Sequence, residues 1–69
     1  MTTGVVKWFD PKKGYGFIQP SDGAKDVFVH ISAVERANLR TLNEGDRVHF
    51  ELSQNNGKVS AVDLKLEDN

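Results

Sequence analysis

The chain has 69 residues, no cysteine, two histidines and a formal net charge of −1. A chain of this length forms one small domain, residues 1–69, around a single core, and without cysteine it has neither disulfides nor thiolate metal ligands. By itself the net charge of −1 argues against a nucleic-acid-binding domain, which is usually basic, although the lysines gather near the N-terminal aromatic segment and the acidic residues near the C-terminus. Two histidines at this spacing predict no metal site and no cofactor.

The N-terminal residues and the hydropathy of the chain predict a cytoplasmic protein. Residues Met1–Gly4 lack the charged and then apolar pattern of a secretory signal. No apolar run approaches the roughly 20 residues that a helix needs to cross a membrane. We therefore expect a cytoplasmic chain that is intact from its first residue and has no membrane partner.

Three strands are predicted in the first half of the chain. Residues Gly4–Asp10 are rich in valine and aromatic side chains. In Tyr15–Gln19 and Asp26–Ile31, residues with rings recur at every second position, which is the period of a β-strand. The intervening segments 10–14 and 20–23 combine proline and glycine with polar residues, which is typical of turns. Short turns between successive strands predict an antiparallel meander.

One helical turn and a second pair of strands are predicted in the other half. The Ser-x-x-Glu pattern of Ser32–Glu35 indicates a capping box and the start of a helical turn. Apolar and polar residues alternate in Arg47–Leu52 and in Lys58–Leu66, and Asn55-Asn56-Gly57 between them suits a type I′ hairpin turn. The side chains predicted to share the inward side of these strands are Val48, Phe50, Leu52, Val62, Leu64 and Leu66.

Five short strands in 69 residues predict an all-β fold, a five-stranded antiparallel Greek-key barrel of the OB type. The meander, the longer connection and the final hairpin match that topology. A closed barrel also removes the edge strands that promote aggregation. With its edges closed, the domain is expected to be a monomer.

Strand parity predicts that one side of the second and third strands carries aromatic rings. Successive side chains of a strand point to opposite sides, so aliphatic and aromatic residues are separated here. Exposed rings suit unpaired nucleobases, because a base that stacks on an aromatic ring contributes about 1–3 kcal/mol of binding free energy. Predicted inward are Ile18, Val27 and Val29, and predicted outward are Tyr15, Phe17, Phe28 and His30.

Three positions, Trp8, Phe9 and Gly16, leave alternatives open. Trp8 and Phe9 are adjacent and point to opposite sides unless a bulge intervenes; we favour Trp8 on the outward side and Phe9 partly buried at its edge. Gly16 either lets a base lie flat on Tyr15 and Phe17 or permits the tight coiling of a small barrel. Both roles of Gly16 can hold together.

The polar residues beside the aromatic side are candidates for contacts with nucleic acid. Lys7 and Lys13 are the predicted phosphate contacts, while Asp26 either accepts a hydrogen bond from a base edge or stabilises a turn. His30 shares the parity of the rings and is expected to stack, and His49 is expected to be solvated. The sequence supplies no nucleophile with an orienting partner, so no catalytic residue and no enzyme activity are predicted.

The chain resembles the bacterial cold-shock protein family over essentially its whole length. The resemblance lies in the ordered segments Lys7–Phe9, Lys13–Ile18 and Val27–Ala33, together with Thr41-Leu42-x-Glu44-Gly45. It implies an OB barrel that binds single-stranded RNA and DNA with low sequence specificity and takes no small-molecule substrate. It also implies an RNA chaperone that melts secondary structure, and a transcription antiterminator or translation regulator. The implied nucleic-acid-binding residues are Lys7, Trp8, Lys13, Tyr15, Phe17, Asp26, Phe28 and His30.

This sequence departs from the family's pattern in three places. Ile31 and Leu39 stand where the family often has phenylalanine, and the final hairpin, residues 55–58, lacks the Gly-Pro of many members. Fewer rings predict fewer stacked bases and weaker binding than in a fully aromatic relative.

A function of another class stays open on the residues alone. An aromatic patch on a small barrel can also dock a peptide, as SH3-like barrels do, and neither the lysines nor the scarcity of prolines decides between the two. Fluorescence of Trp8 separates them, because quenching by oligo-dT with strong salt dependence favours nucleic-acid binding.

Overall fold

A computed structural model describes residues 2–55 and 57–67 of the chain. The five predicted strands are confirmed, although β1 begins at Thr2 rather than Gly4 and β4 continues to Asn55 rather than ending at Leu52. The predicted hairpin turn includes Asn56, which lies outside the described residues. In chain order the elements are β1 (Thr2–Asp10), β2 (Tyr15–Pro20), β3 (Val27–His30), α1 (Ile31–Arg36), β4 (Arg47–Asn55) and β5 (Lys58–Leu66).

The strands close into a barrel in the order β1-β2-β3-β5-β4, and β4 pairs back with β1. The pairings β1–β2, β2–β3, β4–β5 and β1–β4 are antiparallel. Between β3 and β5 the barrel is closed by one parallel pair, Phe28 with Ser60. The predicted five-stranded Greek-key barrel of the OB type is thereby confirmed.

The core inside this barrel is apolar. The predicted inward positions of Ile18, Val27, Val29 and Phe50 are confirmed, since each is at most 5% exposed. Within residues 2–54 and 57–67, no polar or charged residue is buried, so the core stabilises the fold through apolar burial. The core residues are Val6, Ile18, Val27, Val29, Ala33, Val34, Leu42, Val48, Phe50, Ala61 and Leu64.

A bulge in β5 changes which of its side chains face the core. The register of the β4–β5 pairing shifts between His49 and Glu51, because β5 contains one extra residue there. Ala61 and Leu64 are consequently both buried although they lie three residues apart. Ala61 takes the inward position that was predicted for Val62, which is only half-buried.

The prediction of Leu52 as a core residue is wrong. Leu52 continues the alternation of Phe50, but it is 53% exposed. It lies at an open end of the barrel, where it lines a groove together with Pro20, Val27 and Val59. Strand parity predicts which way a side chain points, but not whether another element covers it.

Helix α1 forms where a helical turn was predicted, but with a different cap. It begins at Ile31, and its N-cap is His30 rather than Ser32, the first residue of the predicted capping box. The His30 ring accepts a hydrogen bond through Nδ1 from the backbone N–H of Ser32 at 3.1 Å. After the helix Asn38 adopts a left-handed φ of 62°, which ends the helical path.

Candidate nucleic-acid interface

A bulge at Lys7 sets the direction of Trp8. The register of the β1–β2 pairing shifts between Val6 and Trp8, because Lys7 is an extra residue in β1. In a regular strand without this bulge, Trp8 would point inward with Val6, since residues i and i+2 share a side. Trp8 instead lies opposite Phe17 and is 37% exposed, whereas Phe9 packs partly buried against the core. Both placements agree with the prediction.

Four aromatic rings lie together on the outer side of β1, β2 and β3. The ring centre of Trp8 lies 5.6 Å from that of Tyr15 and 5.5 Å from that of Phe17. Phe28 stacks on Tyr15 at 5.8 Å and meets Phe17 edge-on at 6.0 Å. We call these four residues, Trp8, Tyr15, Phe17 and Phe28, the ring cluster.

The ring cluster is assembled by sheet register and stays outside the core. Tyr15 lies opposite His30, and Phe17 lies opposite Phe28, in the β2–β3 pairing. Tyr15, Phe17 and Phe28 are half-buried rather than fully exposed. Their centre-to-centre distances are those of favourable aromatic pairs, so each ring covers part of its neighbours. The rings are therefore held in place before any ligand binds.

Gly16 permits close packing between β1 and β2. A Cβ atom at this position would lie 2.4 Å from the carbonyl oxygen of Trp8 and 2.7 Å from Cδ1 of Phe9. Gly16 is buried and lies opposite Phe9 in the strand pairing. Of the two roles considered for it, tight packing is the one that its position supports, because its missing side chain would point away from the ring cluster.

Lys7 and Asp26 form an ion pair beside the ring cluster. The Nζ of Lys7 lies 3.0 Å from Oδ2 of Asp26, and the two side chains are 57% and 33% exposed. The pair joins the bulge of β1 to the residue that precedes β3. This contact has no local sequence signal, because the two residues are 19 positions apart. An anionic ligand that approaches Lys7 has to compete with the Asp26 carboxylate.

Lys13 lies in a hydrogen-bonded turn between β1 and β2. The carboxylate of Asp10 accepts hydrogen bonds from the backbone N–H groups of Lys12 at 2.9 Å and Lys13 at 3.3 Å. Gly14 has a φ of 85°, and its N–H donates to the backbone carbonyl of Asp10 at 2.8 Å. The turn therefore holds the backbone of both lysines directly before Tyr15, while their side chains are exposed.

The two histidines have different surroundings. His30 is exposed, and its ring centre lies 6.3 Å from that of Phe28 at an angle of 41°. Its Nδ1 also lies 2.9 Å from Oγ of Ser32. His49 is half-buried, with Nδ1 3.1 Å from Oγ1 of Thr3, so the prediction that it is solvated is wrong.

The two positions where phenylalanine is absent differ in their surroundings. Ile31 directly follows His30 and is half-buried, and its N–H donates to the carbonyl of Gly14 at 2.9 Å. Leu39 packs partly buried against the core. Ile31 therefore lies next to the ring cluster, whereas Leu39 stabilises the barrel through the part of its side chain that packs against the core.

Sequence reasoning missed two residues beside the interface. Ser60 lies opposite Phe28 across the parallel pair of β3 and β5, and Ser32 holds the ring of His30. The pairing of β3 with β5 has no local signal, because it joins distant segments. Ser32 had no such signal either, because histidine is not among the usual N-cap residues.

Neither a metal site nor a membrane helix is found in the part of the chain that the structure describes. Among residues 2–55 and 57–67, no group of three or more His, Asp or Glu side chains is placed to hold a metal ion. Within the same ranges, no helix is long and apolar enough to cross a membrane.

Comparisons with known proteins agree with this geometry. The family model of the "cold-shock" DNA-binding domain matches residues 2–66. Probable cold shock protein y4cH of Sinorhizobium fredii (strain NBRC 101917 / NGR234) is 58% identical over 67 residues, covering 94% of this chain and 97% of the relative. Cold shock-like protein CspA of Rickettsia bellii (strain RML369-C) is 56% identical over 70 residues, covering 97% and 100%. Cold shock protein CspA of Rhizobium meliloti (strain 1021) is 55% identical over 67 residues, covering 94% and 97%.

Proposed function

Because this chain belongs to the "cold-shock" DNA-binding domain family, we propose that it binds single-stranded RNA and DNA with low sequence specificity. The observation that carries the proposal is the ring cluster on the outside of the barrel, in which the centres of neighbouring rings lie 5.5 to 6.0 Å apart. Every base has a π face, so stacking tolerates any sequence. A duplex hides those faces, so the cluster selects unpaired strands.

The proposed contacts divide between bases and backbone. The bases stack on the rings of the cluster, with His30 at its border, while Lys7 and Lys13 contact phosphates. Asp26 weakens the phosphate contact of Lys7, because it is paired with that lysine. Because the rings are already packed against one another, little side-chain entropy is lost on binding. The proposed nucleic-acid-binding residues are Lys7, Trp8, Lys13, Tyr15, Phe17, Asp26, Phe28 and His30.

In this proposal the protein acts in the cytoplasm as a monomeric RNA chaperone. A protein that binds only the open form of an RNA hairpin stabilises that form by mass action, by about 2.7 kcal/mol when its free concentration is 100 times the dissociation constant. The step consumes no nucleotide. Opening of a terminator hairpin or of a structured leader in the same way accounts for the proposed roles in antitermination and translation.

Quenching of Trp8 fluorescence tests the binding itself. Oligo-dT is titrated into the protein, into Phe28→Ala and into Leu52→Ala, whose side chain is 53% exposed but lies outside the ring cluster. Loss of one stacked ring is expected to raise the dissociation constant of Phe28→Ala about 5- to 150-fold, whereas Leu52→Ala binds like the wild type. No quenching of the wild type up to high micromolar oligo-dT overturns the proposal.

The salt dependence of the same titration tests the lysines. Removal of one phosphate contact reduces the slope of log K against log salt by about 0.7. Lys13→Ala is expected to show that reduction. Lys65→Ala removes the same charge from β5, where Lys65 pairs with His49, and is expected to leave the slope unchanged. Equal slopes for the two variants contradict a phosphate contact by Lys13.

A labelled RNA hairpin tests the chaperone role separately. A fluorophore and a quencher at its two ends report opening when the protein is added without nucleotide. Opening is expected for the wild type and is expected to be lost in Phe28→Ala. If the wild type binds oligo-dT but leaves the hairpin closed, the chaperone role fails while single-strand binding stands.

A further inference from the structure

We propose that Arg36 contacts a phosphate of the bound strand, so that the path of the nucleic acid continues beyond the ring cluster along the exposed side of α1. The inference rests on the proposed single-strand binding and extends the footprint of that site. Arg36 is not one of the residues proposed above as contacts, and it lies outside the strands that carry them.

A continuous row of side chains leads from the ring cluster to Arg36. The ring centre of His30 lies 6.3 Å from that of Phe28, and Nδ1 of His30 lies 2.9 Å from Oγ of Ser32. Ser32 and Arg36 both belong to α1 and are four residues apart, so they are neighbours on one face of the helix. A strand that passes His30 toward α1 therefore meets Arg36 one helical turn beyond Ser32.

Arg36 and Ser32 line a concavity between α1 and β5. Its other lining residues are Ala33, Val62 and Asp63. Ala33 is buried and Val62 is half-buried, whereas Ser32, Arg36 and Asp63 are exposed at the rim. The apolar floor suits a sugar ring, and the guanidinium at the rim suits the phosphate attached to that sugar.

The guanidinium of Arg36 is available to a ligand. It forms no ion pair and no hydrogen bond with any other side chain that the structure describes. Asp63 lines the same concavity but is not paired with it. Lys7, by contrast, is already paired with Asp26. A guanidinium binds phosphate through two parallel N–H groups, and Arg36 can do so without first breaking an ion pair.

The position of Arg36 matches the stretch of chain in which rings are absent. Ile31 begins α1, and Leu39 follows the helix after two further residues. A base that lies over this stretch finds no aromatic partner at either position, so affinity there has to come from contacts with the backbone of the strand. Arg36 supplies such a contact.

Titrations with oligo-dT of two lengths test this extension. One oligonucleotide has about four nucleotides, enough for the ring cluster, and the other has about ten, both within the range of site sizes of OB folds. For the longer strand, Arg36→Gln is expected to reduce the slope of log K against log salt by about 0.7 and to weaken binding about two- to fivefold. For the shorter strand, slope and affinity are expected to equal those of the wild type.

Two further variants serve as controls. Arg47→Gln makes the same chemical change on β4, where Arg47 lies 3.8 Å from Glu67, and is expected to leave the slope unchanged for both strands. Arg36→Lys keeps the charge and is expected to keep the slope for the longer strand. Thermal unfolding of Arg36→Gln is expected to show a folded protein at the temperature of the titrations, since the side chain is exposed.

The outcomes separate this contact from the proposed function. If the wild type binds both strands and Arg36→Gln leaves the slope for the longer one unchanged, the phosphate contact is overturned while the proposed function stands. An equal loss for both strands overturns the extension, because Arg36 would then act at the ring cluster. The same loss in Arg47→Gln overturns it as well, because net charge would explain the effect. If the wild type binds neither strand, the proposed function fails, and this contact fails with it.

Discussion

Removal of the Asp26 carboxylate is expected to strengthen nucleic-acid binding although Asp26 is itself one of the proposed interface residues. Asp26→Asn leaves the shape of the side chain nearly unchanged and removes its charge. It frees Lys7, whose Nζ lies 3.0 Å from Oδ2 of Asp26. A phosphate then meets an unpaired ammonium group instead of one already neutralised by a carboxylate.

The exposure of the pair sets the magnitude. The side chains of Lys7 and Asp26 are 57% and 33% exposed, so water and salt screen their attraction. Such exposed ion pairs contribute about 0–1 kcal/mol. In Asp26→Asn a phosphate can bind Lys7 without first breaking this ion pair. The affinity of the variant for nucleic acid therefore rises by up to about fivefold. Stability falls by the same amount, up to about 1 kcal/mol, which lowers Tm by up to about 8 °C.

Fluorescence titrations with oligo-dT across a salt series, together with thermal unfolding, measure both effects. Asp63→Asn is the matched control: it makes the same chemical change on β5, and asparagine tolerates the φ of 53° at that position. A second pair, Lys7→Met with and without Asp26→Asn, shows whether the gain depends on Lys7.

Competition between Asp26 and the ligand for Lys7 is refuted if Asp26→Asn weakens binding, since Asp26 would then contact the ligand favourably, as an acceptor for a base edge does. It is also refuted if the gain persists in the Lys7→Met background. A gain of the same size in Asp63→Asn would trace the effect to net charge rather than to the pair.

Three further substitutions test the interface and the core. Gly16→Ala is expected to destabilise the fold by about 1–3 kcal/mol, because its Cβ would lie 2.4 Å from the carbonyl oxygen of Trp8; a smaller loss in urea unfolding contradicts close strand packing. Ile31→Phe adds a ring next to the cluster and is expected to tighten oligo-dT binding about fivefold or more, and an unchanged dissociation constant rejects the idea of a missing stacking partner. Phe50→Ala is expected to lower the free energy of unfolding by about 3–5 kcal/mol, whereas Leu52→Thr, at a position 53% exposed, lowers it by less than about 1 kcal/mol. Thermal melting followed by circular dichroism measures both losses. Equal losses contradict the placement of Leu52 at the open end.

Much of the fold was predictable because its signals are local. Alternation along β2 and β3 separates Ile18 from Phe17 without knowledge of any other segment, and both placements are confirmed. The turn at residues 10–14 was predictable for the same reason, since the Asp10 carboxylate accepts from N–H groups two and three residues further on. Period-2 alternation and short-range turns act within a few residues of the chain.

The candidate interface was predictable in its rings and less so in its polar contacts. Tyr15, Phe17 and Phe28 of the ring cluster follow from parity, whereas Trp8 was expected there from the resemblance to the cold-shock family. The partner of Asp26 did not follow, because Lys7 lies 19 residues away in sequence and meets it across strands. His30 was read as a stacking ring, since its role as a cap depends on where β3 ends and α1 begins.

By itself the sequence determined the number of strands, the sides to which most of their residues point and the family. Tertiary structure alone decided the direction of Trp8, the burial of Ala61 in place of Val62 and the exposure of Leu52. The first two depend on bulges, and a bulge exists only relative to the strand that pairs with it. The third depends on whether another element covers that end of the barrel. Bulges and the covering of the barrel end depend on contacts between distant segments, so the alternation of residues within one strand does not predict them.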